Sequence, residues 1–280
     1  MQLNNKNAGG TRRNFRALIL IALFAPLAGC VVHPTSQFTD TVDSSPQQAN
    51  TEQRQHPQLW VRLRAGYAMA DLDSPLVAKH ERWFSSNPAY INRMVKRARL
   101  YLYYIVDEVD KRGMPMEIAL LPAIESAFKP HAYSRARAAG LWQFIPSTGR
   151  YYGLERNWWY DGRRDVVKAT QAALDYLQSL HKAFDGDWHL ALAAYNAGET
   201  RVKRAIEYNR KRGLPTDYKY LRTLKPETLN YVPKLLAISK IIARPEAYDI
   251  TLAAIPNEPY FTRIEIGSQI DLGIVARMAN

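Results

Sequence analysis

The chain has 280 residues, of which 47% are hydrophobic and 23% charged, and a formal net charge of +12. That apolar share can fill one large core or two smaller ones, and it excludes an intrinsically disordered chain. The positive charge suits polyanions of any kind, whether nucleic acid, anionic lipid or acidic cell-wall peptide, and does not choose among them.

Arg12, Arg13 and Arg16 precede an apolar run from Ala17 to Ala28, and small residues then lead to Cys30. A basic start, a short apolar stretch and a small-residue end make a secretion signal. The run is about a dozen residues, whereas a helix that spans a bilayer needs about 20. The stretch LAGC resembles a bacterial lipobox, which implies that Cys30 becomes the lipidated first residue of the mature protein. Cys30 is the only cysteine, and a lone thiol in an oxidising compartment has no disulfide partner. TRRNF leaves a twin-arginine route open beside ordinary export. Val31 follows the cysteine, and the resemblance then implies a lipoprotein anchored to the outer membrane and facing the periplasm. Loss of residues 1–29 removes four basic residues and no acids, which lowers the net charge to +8.

Residues 30–55 are polar and rich in Ser, Thr and Gln, the pattern of a disordered tether. From Leu59 onward apolar residues recur at helical spacing, and helices are predicted near 57–70, 88–111, 116–125, 139–149, 165–184, 188–197, 200–211 and 226–243. The predicted class is therefore all-α. Asn87 before Pro88 reads as an N-cap with proline at the first helical position, and Gly113 reads as a stop. Gly198 ends a helix that Asp187 begins. Near the C-terminus ITLAAI and YFTRIEI have some β character, and Asp271 caps a short terminal helix. These boundaries divide the chain into a signal (1–29), a tether (30–55), a helical segment (56–112), a central domain (113–245) and an irregular extension (246–280).

One carboxylate stands out. Glu125 follows Ile118, Leu121 and Ile124 at helical spacing, and so lies at the end of a buried helix. Desolvation raises the pKa of a carboxyl in apolar surroundings, as a proton donor near neutrality requires. A structural role, capping a neighbouring helix or pairing with Arg135 or Arg137, fits the same pattern.

Four motifs stand in order: IESAF around Glu125, SRARAAGLWQF from Ser134 to Phe144, AYNAG from Ala194 to Gly198, and ETLNYVPKLLA from Glu227 to Ala237. In these, residues 113–244 resemble the catalytic domain of lytic transglycosylases of the goose-lysozyme-like family. The resemblance implies a helical, lysozyme-like transglycosylase domain within the α+β lysozyme-like superfamily. It also implies one catalytic acid/base, Glu125, with Tyr231 near it, Ser134 helping to position both the glutamate and the substrate's acetamido group, and Gln143, Phe144, Tyr195 and Asn196 lining the groove around the sugar. The substrate it implies is the peptidoglycan glycan strand, held without metal or cofactor. Trp142 stands where the family's commonest motif has methionine, a departure that bears on subsite detail.

Cleaving a glycosidic bond needs a proton donor and relief of the developing oxocarbenium charge, for which most glycosidases use two carboxylates. Asp161, Asp165, Asp187 and Glu199 are the nearby acids, and each reads as a helix cap or surface charge. An N-acetylated substrate can supply the missing nucleophile from its own acetamido oxygen. Of the crowded aromatics Trp142, Phe144, Tyr151, Tyr152, Trp158, Trp159 and Tyr160, most are predicted to be core, with one or two reaching a groove. His56, His80, His131, His181 and His189 have no metal-ligand spacing and read as surface or core. A lysozyme-type hydrolase and an inactive cell-wall-binding protein remain alternatives, while the export signal opposes a nucleic-acid binder.

Overall fold

The computed structural model describes residues 55–262 and 271–278. The signal, Cys30, nearly all of the tether and the RIEI stretch lie outside the described residues. Nearly all regular structure described is helical, and the β pairing there consists of isolated bridges. None of the described helices is long and apolar enough to cross a membrane.

The order is α1 (Leu59–Ala65), α2 (Pro75–Ser85), α3 (Pro88–Ala98), α4 (Leu102–Lys111), a 3-10 turn (Met116–Leu120) running into α5 (Leu121–Glu125), α6 (Pro146–Tyr151), α7 (Val166–Ala183), α8 (Trp188–Ala197), α9 (Glu199–Arg210), α10 (Pro226–Ala243) and α11 (Leu272–Met278). Helix α10 lies at the centre. It buries Val232, Leu235, Leu236, Ile238, Ile241 and Ile242 and packs against α2, α8 and α5, so it is apolar on most sides, as a core helix must be. Helix α7 buries Ala169, Thr170, Ala173, Leu174, Leu177 and Leu180 along one stripe and leans on α8.

Several predicted boundaries hold. The Asp187 carboxylate accepts from Leu190 N at 2.9 Å, and Gly198 at φ 88° ends α8. Gly113 follows α4 at φ 60°, and the Asp271 carboxylate accepts from Gly273 N at 2.8 Å ahead of α11. Asn87 does precede α3, but its amide donates to Trp83 O at 2.7 Å and closes the end of α2 instead of capping.

Four predictions need correction. Helix 88–111 is two helices, α3 and α4. Its buried stripe of Ile91, Met94, Val95, Ala98, Leu102, Ile105, Val106 and Val109 keeps helical spacing across the break, so periodicity could not reveal it. Residues 139–145 are a tight loop and not a helix, because Gly140 (φ 84°) and Gln143 (φ 50°) are left-handed; the helix starts only at Pro146. Helix α2 has no counterpart in the sequence reading. Its start signal was present in Ser74, which caps Leu76 N ahead of Pro75. Finally, ITLAAI forms no strand: Ile255 O accepts from Leu59 N and Ala253 O from the Trp60 indole, both at 2.9 Å, which laces the C-terminal segment onto α1.

Candidate functional site

One groove of about 820 Å³ runs beside α5. The chain enters it through MEIALLPAI, whose buried apolar residues fill the 3-10 turn and α5 and leave Glu125 at the helix end. Directly after it Ala127 and Phe128 adopt φ 50° and 56°. Two consecutive non-glycine residues in the left-handed region store strain, and such outliers gather at functional sites.

Glu125, Ser134, Gln143, Phe144, Tyr195, Asn196 and Tyr231 all line this groove. The Tyr231 hydroxyl donates to Glu125 Oε1 at 2.5 Å. Burial pushes the Glu125 pKa up to about 7, against the opposing pull of the Tyr231 hydrogen bond and the Lys234 charge. Burial beside that carboxyl also drives Tyr231 and Tyr195 well above the usual phenol range, so both are donors at neutral pH. Arg135 and Arg137 make no ion pair with Glu125 among the described residues.

The Ser134–Phe144 loop is tied by its backbone and by its own side chains. Ser134 N donates to Ala138 O, and Ser134 Oγ accepts from Ala138 N at 3.1 Å, which leaves its O–H to donate elsewhere. The Gln143 amide nitrogen donates to Gly140 O at 2.8 Å, so its oxygen is the atom left to accept from a ligand. At Asn196 the reverse holds: Oδ1 accepts from Thr228 Oγ1 at 2.8 Å and the nitrogen is left to donate. The Tyr195 hydroxyl donates to Trp142 O at 2.9 Å, and this fixes the loop against α8.

Sequence reasoning missed what holds this loop. Arg163 is buried, forms a fork to Asp161 at 2.8 and 2.7 Å, and donates to Arg137 O and Phe144 O at 2.7 and 3.0 Å. A Cβ on Gly140 would meet Arg163 O at 1.7 Å. The pair D-x-R at 161–163 was a readable local signal, but its reach to residues 137 and 144 was not.

The other acids have structural partners; Asp165, Asp187 and Glu199 are the caps and surface charge expected, whereas Asp161 is a part-buried partner of Arg163. Asp161 pairs with Arg163, Asp165 caps Lys168 N, Asp187 caps α8, and Glu199 meets Lys203 at 2.6 Å. Glu227 was passed over although it opens the fourth motif, and it lines the groove. Residues Glu227, Asn230, Tyr231 and Lys234 fall at i, i+3, i+4 and i+7, so one face of α10 turns all four into the groove. His80, read as a surface or core histidine, also lines it, together with Lys79 and Trp83 of α2.

The aromatic expectation fails in part. Trp142 and Phe144 are buried, and the Trp142 indole donates to Thr170 Oγ1 at 3.0 Å. By contrast Tyr151, Trp158 and Trp159 are 83%, 80% and 77% exposed, and none of them lines the groove. Tyr151 ends α6, and Trp158 and Trp159 sit on a turn between Arg156 and Asp161 with their indoles stacked on each other, so local clustering was misread as a core.

Residues 103–216 match the family model described as the transglycosylase SLT domain. This stretch is an SLT domain. The SLT domain holds Glu125, Ser134, Gln143, Phe144, Tyr195 and Asn196, whereas Tyr231, α2 and α10 lie outside the matched residues. The chain is 44% identical over 221 residues to membrane-bound lytic murein transglycosylase D of Escherichia coli, covering 79% of this chain and 49% of that protein. It is 52% identical over 119 residues to an Alteromonas protein named for tributyltin chloride resistance, covering 42% of this chain and 58% of that one. The chain thus spans about half the length of the curated relatives it matches. A solved lytic transglycosylase Slt, an inactive mutant from Pseudomonas aeruginosa, overlays with a TM-score of 0.40 at 20% identity, covering 74% of this chain and 44% of that one.

Proposed function

We propose that the chain is a peptidoglycan lytic transglycosylase that cleaves the β-1,4 bond between N-acetylmuramic acid and N-acetylglucosamine with Glu125 as its one acid/base. The observation that carries this reading is a partly buried carboxyl with its pKa raised to about 7, held by Tyr231 in a groove that also contains Ser134, Gln143, Tyr195 and Asn196. In the first step Glu125 gives its proton to the glucosamine O4 as the C1–O4 bond breaks. The acetamido oxygen of the muramic residue closes on C1 and takes up the positive charge. Glu125, now a carboxylate, removes the proton of the C6 hydroxyl, whose oxygen displaces the acetamido oxygen at C1. A 1,6-anhydro ring closes, no water is consumed, and Glu125 is again protonated.

Within this reading Tyr231 orients the carboxyl, while Ser134 O–H, Gln143 oxygen and Asn196 nitrogen are the donors and acceptors for the N-acetyl group and sugar hydroxyls. The segment 56–112 belongs to the working unit, because α2 supplies groove wall. LAGC and the words "membrane-bound" in the name of a relative support attachment through a lipid on Cys30 at the periplasmic face of the outer membrane, with residues 30–55 as tether. Digestion of purified sacculi followed by mass analysis of the muropeptides tests the chemistry. Anhydro ends are expected, and they should vanish with Glu125→Gln. Ends heavier by one water would assign a lysozyme-type hydrolase instead.

A further inference from the structure

Three segments are tied into one face at the rim of the groove: the loop 133–137, the turn 155–161 and the residues 163–168 that lead into α7. Arg163 Nη1 donates to Arg137 O at 2.7 Å, the Arg164 guanidinium lies 5.9 Å from the centre of the Tyr133 ring, and the Tyr160 hydroxyl donates to Asp165 Oδ2 at 2.8 Å. Ser134 and Ala136 line the groove, whereas no residue of the turn does. The turn holds Trp158 and Trp159 out to solvent at 80% and 77% exposure, while Trp60 and Trp142 are buried and Trp188 packs against the core. Their exposure is built in. Asn157 Oδ1 accepts from Trp159 N and Tyr160 N at 2.9 and 2.8 Å, Asn157 N donates to Tyr160 O at 2.9 Å, and the two indoles stack with centroids 3.5 Å apart. Both rings are thus ordered before any ligand arrives.

Charge on the same segments is one-sided. Arg135, Arg137, Arg156, Arg164 and Lys168 are exposed, and Glu155 is the one exposed acid among them. Asp161 is taken by the Arg163 fork, and Asp165 by Lys168 N and the Tyr160 hydroxyl. Exposed indoles set among cations have the two properties that a bilayer interface selects: amphipathic rings that settle at headgroup depth, and positive charge drawn to anionic headgroups. A sugar platform would use the ring faces and nearby polar groups. Here each indole covers one face of the other, and the Asn157 acceptor is engaged within the turn. We propose that the Trp158–Trp159 turn and its cations form a membrane-docking face that seats the domain on an anionic lipid surface. This face is separate from a lipid on Cys30, since a flexible tether alone would leave the domain free to turn. Because the loop 133–137 is shared with the groove, docking fixes how the groove faces the membrane.

The chain of residues 30–280 with Cys30→Ser carries no acyl group, so any affinity for lipid belongs to the protein itself. Cosedimentation is measured with vesicles of phosphatidylglycerol and phosphatidylcholine and with phosphatidylcholine alone, and brominated phosphatidylcholine in the mixed vesicles reads indole insertion by quenching. The chain should bind the anionic vesicles, bind the neutral ones about tenfold or more weakly, and lose tryptophan fluorescence to the bromine. Trp158→Ala with Trp159→Ala should weaken anionic binding about tenfold or more and remove most of the quenching. Arg156→Gln with Arg164→Gln keeps both indoles and should weaken binding by a similar factor, which Arg156→Lys with Arg164→Lys should not. All of these side chains are exposed and none lines the groove, so melting and release of anhydro ends from soluble strands should match the parent. No binding to anionic vesicles, or a Trp158→Ala, Trp159→Ala chain bound and quenched as the parent is, overturns the docking face. Weaker retention of that variant on purified sacculi with unchanged vesicle binding also overturns it, and makes the turn a glycan contact. A chain that binds vesicles but releases no anhydro ends upholds the docking face and overturns the glycan-cleaving reading alone.

Discussion

Glu125 and Glu117 are both acids in apolar surroundings, and their partners decide what each can do. Glu117 accepts from Ala68 N and Met69 N, both at 3.1 Å, and so staples the chain ahead of α2 to the 3-10 turn; it does not line the groove. Among the described residues the Glu125 carboxyl accepts from the Tyr231 hydroxyl alone, and burial carries its pKa up to about 7. A raised folded-state pKa means that the native state holds the proton more tightly than the unfolded chain. The stability this contributes is complete below the ordinary carboxyl value of 4.5 and is lost as pH rises through about 7. Thermal melts of wild type and Glu125→Gln should therefore diverge between pH 5 and 8, with the glutamine variant the more stable at the upper end. Its release of anhydro-muropeptides should fall about 10²–10⁴-fold, the usual worth of a general acid–base. Glu227→Gln should cost at most a few-fold, and an equal loss at Glu227 would replace the single-carboxylate mechanism with a two-carboxylate one. Tyr231→Phe removes a hydrogen bond that lowers the Glu125 pKa. Turnover on sacculi should drop about tenfold or more, and the alkaline limb of the pH–rate profile should move to higher pH.

Among the elements, the loop Ser134–Phe144 depends on one contact that crosses the fold. Arg163 reaches the carbonyls of residues 137 and 144, while Gly140 passes against the Arg163 carbonyl where no side chain fits. Gly140→Ala meets both a left-handed φ of 84° and a backbone clash, so it should destabilise by about 2–4 kcal/mol, seen as a lower midpoint in chemical denaturation. Wild-type stability in that variant would mean that the loop has an alternative path. The helices around this loop were legible because their buried stripes repeat at helical spacing and their caps are local, as with Asp187 and Gly198. The loop itself was misread as a helix, since left-handed residues such as Gln143 carry no periodic signal. Trp158 and Trp159 were misread for a related reason. Composition says that an indole favours burial, but a tight turn with no element packed over it leaves both exposed.

Across the whole molecule, groove and core extend past the matched domain. Helix α10 lies beyond residue 216 and α2 before residue 103, yet they pack on each other and supply Tyr231, Lys234, Lys79 and His80 to the groove. A fragment limited to residues 103–216 would lose Val232, Leu235, Ile238, Ile241 and Ile242 from the core. Each such loss is worth about 2–5 kcal/mol, and together they exceed the 5–15 kcal/mol that holds a typical domain. The fragment should show no cooperative melt by circular dichroism, whereas a chain of residues 55–262 should melt as one unit. What the sequence by itself determined was the helical class, most of the helix ends and the residue types of the groove, because spacing, caps and the four motifs are local in the chain. The resemblance already implied that Tyr231 stands near Glu125; only the tertiary structure decided that its hydroxyl donates to Oε1, that Glu227 and His80 would face the same groove, and that Arg163 would hold the loop. Those relations depend on how α2, α5 and α10 cross, and crossing is set by the simultaneous packing of buried faces that no single stretch of sequence contains.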